Sequence, residues 1–324
     1  MKQIKTKHLT WMEYRVKPDF INYRLDKLMK RLQPQWTKVF LYKMIQQKNI
    51  LVNHKRTTIN YHLKVNDLIS YYGLASINET QSSNFSIEQL ENLPQLDVIF
   101  EDQNLIIVNK PIKVPVQATT NHYYDNMNNR LLKHCHYNLI SDQFKPVFVH
   151  RLDQNTTGLL IGAKNYQTYQ QLIQLFKKQE IIKTYHALVW NQFSNSQQEI
   201  KNYLVKNVNN KKSYVVNQNF TNSKFAHSSV FLVKNFKQQA LLKIIIHTGR
   251  YHQVRVHLSQ INHPICGDRK YSVNHLNKLF MTPALIASEL VFQPKKWSKE
   301  LIALKNQTFK LNHFWFLDKK YIFE

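Results

Sequence analysis

His150-Arg151-Leu152-Asp153-Gln154-Asn155-Thr156-Thr157-Gly158-Leu159-Leu160 decides how this chain is read. A carboxylate stands beside an arginine and near a histidine, followed by two hydroxyls and a glycine. An acid in such a turn is a candidate nucleophile or base. The glycine carries weight because the chain of 324 residues has only 5. Gly73 lies near the end of a first basic region, whereas Gly158, Gly162, Gly249 and Gly267 fall in two short segments. Elsewhere Asn often stands where a turn is expected, and Asn tolerates left-handed backbone better than most residues. Glycines kept against that background mark places where no side chain fits.

The second segment is His247-Thr248-Gly249-Arg250-Tyr251-His252-Gln253-Val254-Arg255-Val256-His257-Leu258, continuing through His263-Pro264-Ile265-Cys266-Gly267-Asp268 to Tyr271. Its histidines, with Cys266 and Asp268, raise the question of a metal. His247, His252 and His257 are five apart, a spacing that turns each about 140° from the last on a helix and alternates faces on a strand. Neither arrangement converges on one ion as an i, i+4 pair does. Neighbours in His134-Cys135-His136 likewise point apart, so no metal is expected. Cys135 and Cys266 form no C-x-x-C, which argues against a disulfide framework and for a reducing, cytoplasmic setting.

Charge points to the partner. The chain has 45 Lys+Arg against 20 Asp+Glu, a formal +25. Residues 1–75 carry +11, residues 76–92 carry −3 and residues 93–324 carry +17. Two basic regions separated by an acidic stretch fit a polyanion. No run of about eighteen apolar residues exists to span a bilayer, so a membrane partner is not expected.

In the first region, Tyr23 to Leu32 reads as a helix with Leu25, Leu28, Met29 and Leu32 on one face, stopped by Pro34. Lys38 to Gln47 reads as a second, with Phe40, Leu41, Met44 and Ile45 inward. Ile50 to Lys55 and His62 to Ile69 read as strands. Ile77 to Asn92 has linker composition. Beyond it, Asp97–Phe100 and Leu105–Val108 read as a hairpin, Tyr169 to Gln179 as an amphipathic helix, and Lys183–Val189 and Leu241–Ile246 as strands.

These motifs resemble a known family. Read as H-R-L-D-x-x-T-[ST]-G-L-L, residues 150–160 closely resemble the catalytic motif of the RluA-type RNA pseudouridine synthases. Lys183-Thr184-Tyr185-His186-Ala187 and the segment from His247 to Tyr271 resemble further blocks of that family, in the same order. Asn109-Lys110-Pro111 is similar to its D-K-P with Asn for Asp, and the Gly and His-Pro expected next are absent around Gln117. Ile286, in Ala284-Leu285-Ile286-Ala287, replaces a common His. The first region resembles the αL RNA-binding domain shared with a small-subunit ribosomal protein. That match runs through Arg24–Lys27, Val52–Lys55 and Asn66–Ile69, with Asn49, His54 and Asn66 in place of glycines.

The resemblance implies an α+β protein in two domains. Residues 1–75 form an αL-type RNA-binding domain, residues 76–92 a linker, and residues 93–324 a catalytic domain. The latter has a large mixed, mainly antiparallel sheet flanked by helices and loops, with the active cleft across its middle. It implies isomerisation of uridine to pseudouridine, which breaks the nitrogen–ribose bond, turns the base and rejoins it through carbon 5. Asp153 attacks the ribose or abstracts its proton, and both routes stay open. Arg255 pairs with Asp153, and a guanidinium there favours the charged carboxylate. Tyr185 stacks on the flipped base and helps remove the proton at carbon 5. Arg151 braces the gap left by the extruded nucleotide. Lys27, Lys30, Arg31, Lys38, Lys43, Lys48, Arg56 and Arg250 are the expected RNA contacts. No cofactor is expected, a monomer is, and large-subunit ribosomal RNA is favoured over tRNA. The rival readings are a non-catalytic RNA-binding ribosome-assembly factor and a metal-dependent hydrolase.

Overall fold

The computed structural model describes residues 9–33, 36–74, 87–119, 121–137, 144–273 and 275–323. Pro34 and most of the acidic linker, residues 77–86, lie outside these. The chain divides into two compact units.

The first unit, Met1–Asn92 with His136–Lys145 and Asn165–Gln167, holds β1 (Leu9–Arg15), α1 (Leu25–Leu32), α2 (Lys38–Gln46), β2 (Ile50–Val52), β3 (Leu68–Leu74) and α3 (Ile87–Glu91). Its antiparallel sheet runs β1-β3-β2. Leu25, Leu28 and Met29 of α1 and Leu41 and Met44 of α2 bury against Ile50 and Ile69. The Thr37 side chain caps α2 by accepting from the Phe40 amide at 3.2 Å. Phe40 itself does not turn inward. It is 40% exposed and packs edge-on against Trp36, because Leu41, Met44 and Ile45 already define the buried stripe.

The expected strand from His62 to Ile69 is mostly a loop, and the strand begins at Leu68. The buried Asp67 carboxylate explains this. It accepts from Asn53 Nδ2 (2.7 Å), Tyr61 Oη (3.0 Å) and the Lys64 amide (2.8 Å), so residues 61–67 wrap around it. His54 and Asn66 take left-handed backbone, with φ of 60° and 66°, as their glycine-like positions require. At the third such turn Lys48, at φ 59°, adopts that conformation in place of Asn49. Within the last part of the expected linker, Ile87–Glu91 form α3 and Leu90 is buried.

The second unit, Leu93–Cys135, Pro146–Lys164 and Thr168–Glu324, holds most of the chain. In order it contains β4 (Val98–Glu101), β5 (Leu105–Lys110), α4 (Met127–His134), β6 (Val147–Phe148), β7 (Thr157–Ala163) and α5 (Tyr166–Lys178). Next come β8 (Ile181–Trp190), β9 (Gln197–Asn207), β10 (Lys212–Val216), β11 (Lys224–Asn235) and β12 (Gln239–Ile246). It ends with α6 (Gln253–Gln260), β13 (Leu285–Phe292) and β14 (Thr308–Lys310). The strands form one 11-stranded sheet, β10-β9-β11-β12-β8-β13-β7-β5-β4, with β14 on β13 and β6 on β7. Among the described residues, only β13 and β7 pair in parallel. The architecture is α+β, a mixed and mainly antiparallel sheet.

Both faces of the sheet's centre are covered, which is why β5 and β7 read as continuous apolar runs. Along β5, Ile106 and Val108 enter one core while Leu105 and Ile107 enter another with Leu172 and Leu175 of α5. At the parallel pairing, Gly158 has φ 116° and lies opposite Ala287, where an added Cβ would come within 2.2 Å of the Ala287 carbonyl oxygen. Ile286, in the place of the family's His, is buried between Thr157 and His186. Asn109 donates to the Asp97 carboxylate at 2.9 Å, a bond an ionised Asp could not make. In the turn after Pro111, Lys113 takes φ 65°.

Candidate active site

The carboxyl-bearing loop is fixed from below. Lys110, at the end of β5, is fully buried and its amine donates to the carbonyls of Pro111 (2.7 Å), Val114 (2.7 Å) and Gln154 (3.0 Å). Burial pushes that amine down to about 7, against the pull of Asp153. Gln154 Nε2 donates to the Lys113 carbonyl at 3.0 Å, and the Thr156 amide closes a turn on the Asp153 carbonyl at 3.0 Å. His150 Nε2 accepts from the Ile161 amide at 3.0 Å, so this ring is neutral and ties the motif to β7. Burial drives its pKa down to about 3.

Above the loop lies a cavity of about 560 Å³, within the usual range for a small-ligand site. Asp153, Thr156, Tyr185 and Arg255 line it, with Arg151, Lys177, Lys183, Lys206 and Arg250 around them. One lining carboxylate therefore faces a ring of cations, a distribution suited to phosphates.

Asp153, Tyr185 and Arg255, far apart in sequence, are brought together here. Arg255 Nη1 lies 3.4 Å from Asp153 Oδ2. The guanidinium is held much more tightly from behind, where Nε and Nη2 each donate to the buried Asp268 carboxylate at 2.7 Å. This bidentate grip leaves one nitrogen edge for Asp153. Burial works against the guanidinium's charge, but the bonds and charge of Asp268 more than offset it, so Arg255 stays cationic.

At Asp153 burial and the neighbouring guanidiniums oppose one another. Arg255 and Arg151 do favour its ionised form, yet burial outweighs both and lifts the carboxyl above its ordinary value. The side chain keeps 21% of its surface open to the cavity. Tyr185 projects from β8, and burial plus the Asp153 charge hold its phenol protonated well above neutral pH. It therefore offers a ring face and a neutral hydroxyl.

A second group reaches Asp153 that sequence reasoning did not single out. His252 Nε2 lies 3.6 Å from Asp153 Oδ2. Its Nδ1 is 2.8 Å from Tyr271 Oη, which itself accepts from the Ser213 amide at 2.7 Å. This bond fixes the orientation of the ring, with the Nε2 edge turned toward Asp153. Burial, then Arg255, Lys270 and Arg151, push His252 down to about 2, so it stays neutral. It stacks on Tyr251, with ring centroids 3.9 Å apart, and Lys206 Nζ lies 4.7 Å from the Tyr251 ring centroid. Lys183 was legible as part of the Tyr185 motif but not as a site residue. Two positions along the same strand from Tyr185, it lines the cavity with it, and burial lowers its amine to about 8.

The remaining expected RNA contacts are distributed over both units. Arg151 is exposed at the cavity, and Arg250 is fixed there by donation from Nε to the Phe225 carbonyl at 2.8 Å. In the first unit Lys27, Lys38, Lys43, Lys48 and Arg56 are exposed. Lys30 donates to the Trp36 carbonyl at 2.8 Å, and the half-buried Arg31 guanidinium lies 5.6 Å from the Phe20 ring centroid. Both make contacts within the fold. The four histidines of the second motif disperse. His257 bonds Ser228 and Asn202, His263 lies by the Trp190 carbonyl, and His247 lies by Ser229.

Comparisons with known proteins agree with this picture. Residues 24–69 match the S4 domain, and residues 104–260 match the RNA pseudouridylate synthase family. An uncharacterised RNA pseudouridine synthase of Mycoplasma genitalium is 32% identical over 291 residues, covering 86% of this chain and 88% of that protein. Ribosomal large subunit pseudouridine synthase D of Blochmanniella floridana is 31% identical over 252 residues, or 78% and 76% of the two chains. Ribosomal large subunit pseudouridine synthase C of Rickettsia prowazekii is 29% identical over 295 residues, or 85% and 94%. The structure of human RNA Pseudouridylate Synthase Domain Containing 1 shares the fold, with a TM-score of 0.52 at 21% identity over 66% of this chain and 88% of that one. A basic cavity on this sheet, in a chain that also carries an S4 domain, defines an RNA-modifying enzyme. Within that class, the chain belongs to the RNA pseudouridine synthase family.

Proposed function

We propose that this enzyme converts uridines of large-subunit ribosomal RNA to pseudouridine, with Asp153 as the group that acts on the nucleotide. The observation that carries the reading is the meeting of Asp153, Tyr185 and Arg255 in one cation-lined cavity. A uridine turned out of its stack enters this cavity. Ionised Asp153 either attacks the ribose or takes a proton from it, and uracil is released from its ribose bond. Tyr185 packs against the freed base while it turns and takes part in removing the proton at carbon 5. Arg255, held by Asp268, and neutral His252 orient the carboxylate. Arg151 braces the vacated helix, and Arg250 with the cavity lysines holds neighbouring phosphates.

The ribosomal substrate is supported by relatives named for the large ribosomal subunit and by the S4 domain, whose exposed cations suit phosphates beyond the target loop. The organisation follows as residues 1–75 for RNA affinity, residues 76–92 as linker and residues 93–324 for chemistry, in a cytoplasmic monomer that uses no metal in catalysis. Pseudouridine mapping of total RNA from cells with and without the gene tests the substrate. Loss of signals in 23S-type RNA is the expected result, and loss confined to tRNA would overturn the choice.

A further inference from the structure

Away from the cavity, β9, β11 and β12 lie side by side and carry a cluster that the isomerisation does not use. Glu199 and Ser229 are a registered pair, and His227 lies two residues before Ser229 on the same face of β11. His247 follows the last residue of β12, with its amide donating to the His227 carbonyl at 3.0 Å. Strand alternation sends Ala226 and Ser228 the other way, where Ser228 Oγ accepts from Gln253 of α6 at 2.9 Å. Glu199, His227 and His247 thus project from the opposite face.

We propose that Glu199, His227 and His247 form a binding site for one divalent transition-metal ion of the zinc class, pinning three adjacent strands. One ligand atom from each falls within 4.8 Å of the others. The imidazoles of His227 and His247 are stacked, with centroids 4.1 Å apart and planes at 22°. Glu199 Oε2 lies 2.5 Å from His227 Nε2, and His247 Nε2 lies 2.7 Å from Ser229 Oγ. Four-coordinate zinc at about 2.0–2.1 Å needs ligand atoms about 3.4 Å apart, so a small side-chain rotation suffices. None of the three side chains is buried, and such rotation is open to them.

The donor set selects the ion. Two imidazole nitrogens and one carboxylate oxygen suit zinc and its neighbours, whereas calcium and magnesium take oxygen shells. Lys201 sits opposite His227 and its charge opposes a cation, but its side chain is exposed and can turn to solvent. The spacing rule applied to the sequence could not find this site, because its ligands come from three strands and only His247 belonged to the histidine-rich motif.

The test uses tag-free, chelator-stripped full-length protein titrated with zinc by calorimetry, with cobalt(II) absorption as a second probe. One equivalent of zinc is expected to bind and raise the melting temperature as its concentration rises. E199Q, H227A and H247A should each weaken binding about tenfold or more, and H313A, at an exposed histidine elsewhere, should not. Circular dichroism of the metal-free variants checks that each remains folded. Absence of saturable binding, or one-equivalent binding unchanged in all three variants, would overturn the proposal.

Discussion

At Asp153 two opposing effects decide the chemistry. Burial raises the carboxyl's pKa, and Arg255 and Arg151 pull it down. Both catalytic routes need the ionised form, so activity should fall as pH drops through this elevated value, higher than for an exposed Asp. Removing Arg255 deletes the largest opposing influence. The acid limb of the kcat/KM profile of Arg255→Ala should therefore move to higher pH, with the rate at neutral pH down about a hundredfold. An unmoved limb would show that Arg255 does not tune the carboxylate. Lys183 supplies a second, alkaline signature. Its amine is charged below about 8 and loses that charge above it, so KM for RNA should rise through this region. Lys183→Arg keeps its charge at every working pH. Persistence of the alkaline rise in that variant would assign it elsewhere.

At the scale of elements, the site depends on strand backbones that approach too closely for side chains. Gly158→Ala places a methyl group against the Ala287 backbone at φ 116°. Equilibrium denaturation should show a loss of about 2–4 kcal/mol, and a neutral effect would mean that β7 and β13 are not so paired. Much of this level was legible. The glycine-poor background marked Gly158 and Gly267, and apolar runs marked β5 and β12. The ordered motifs placed Asp153, Tyr185 and Arg255 in one site. What was not legible depends on distant partners. The loop at residues 61–67 is set by the buried Asp67, β1 forms through its pairing with the distant β3, and Phe40 was displaced by better-placed apolar neighbours. His252 gains its orientation from Tyr271, 19 residues on, and from Ser213 on another strand. Lys110 stood in a recognised motif, but its role is visible only from the three carbonyls around its amine.

For the whole molecule, the proposed function divides charge between affinity and chemistry. Phosphate contacts release counterions, so each one lost lowers affinity and flattens the salt dependence. The exposed Lys27, Lys38 and Lys43 of the S4 unit should act in this way. Replacing all three with Ala should reduce the slope of log K against log salt by about 2–3, with little change in single-turnover rate at saturating enzyme. A large rate defect with unchanged affinity would place these residues in the chemistry instead. The most direct measurement is pseudouridine mapping of ribosomal RNA in cells lacking the gene, complemented with the wild type or with Asp153→Asn at equal protein level. The wild type should restore the missing modification, and the Asn variant should leave it absent. Restoration by Asp153→Asn would contradict the assignment of this carboxylate as the acting group.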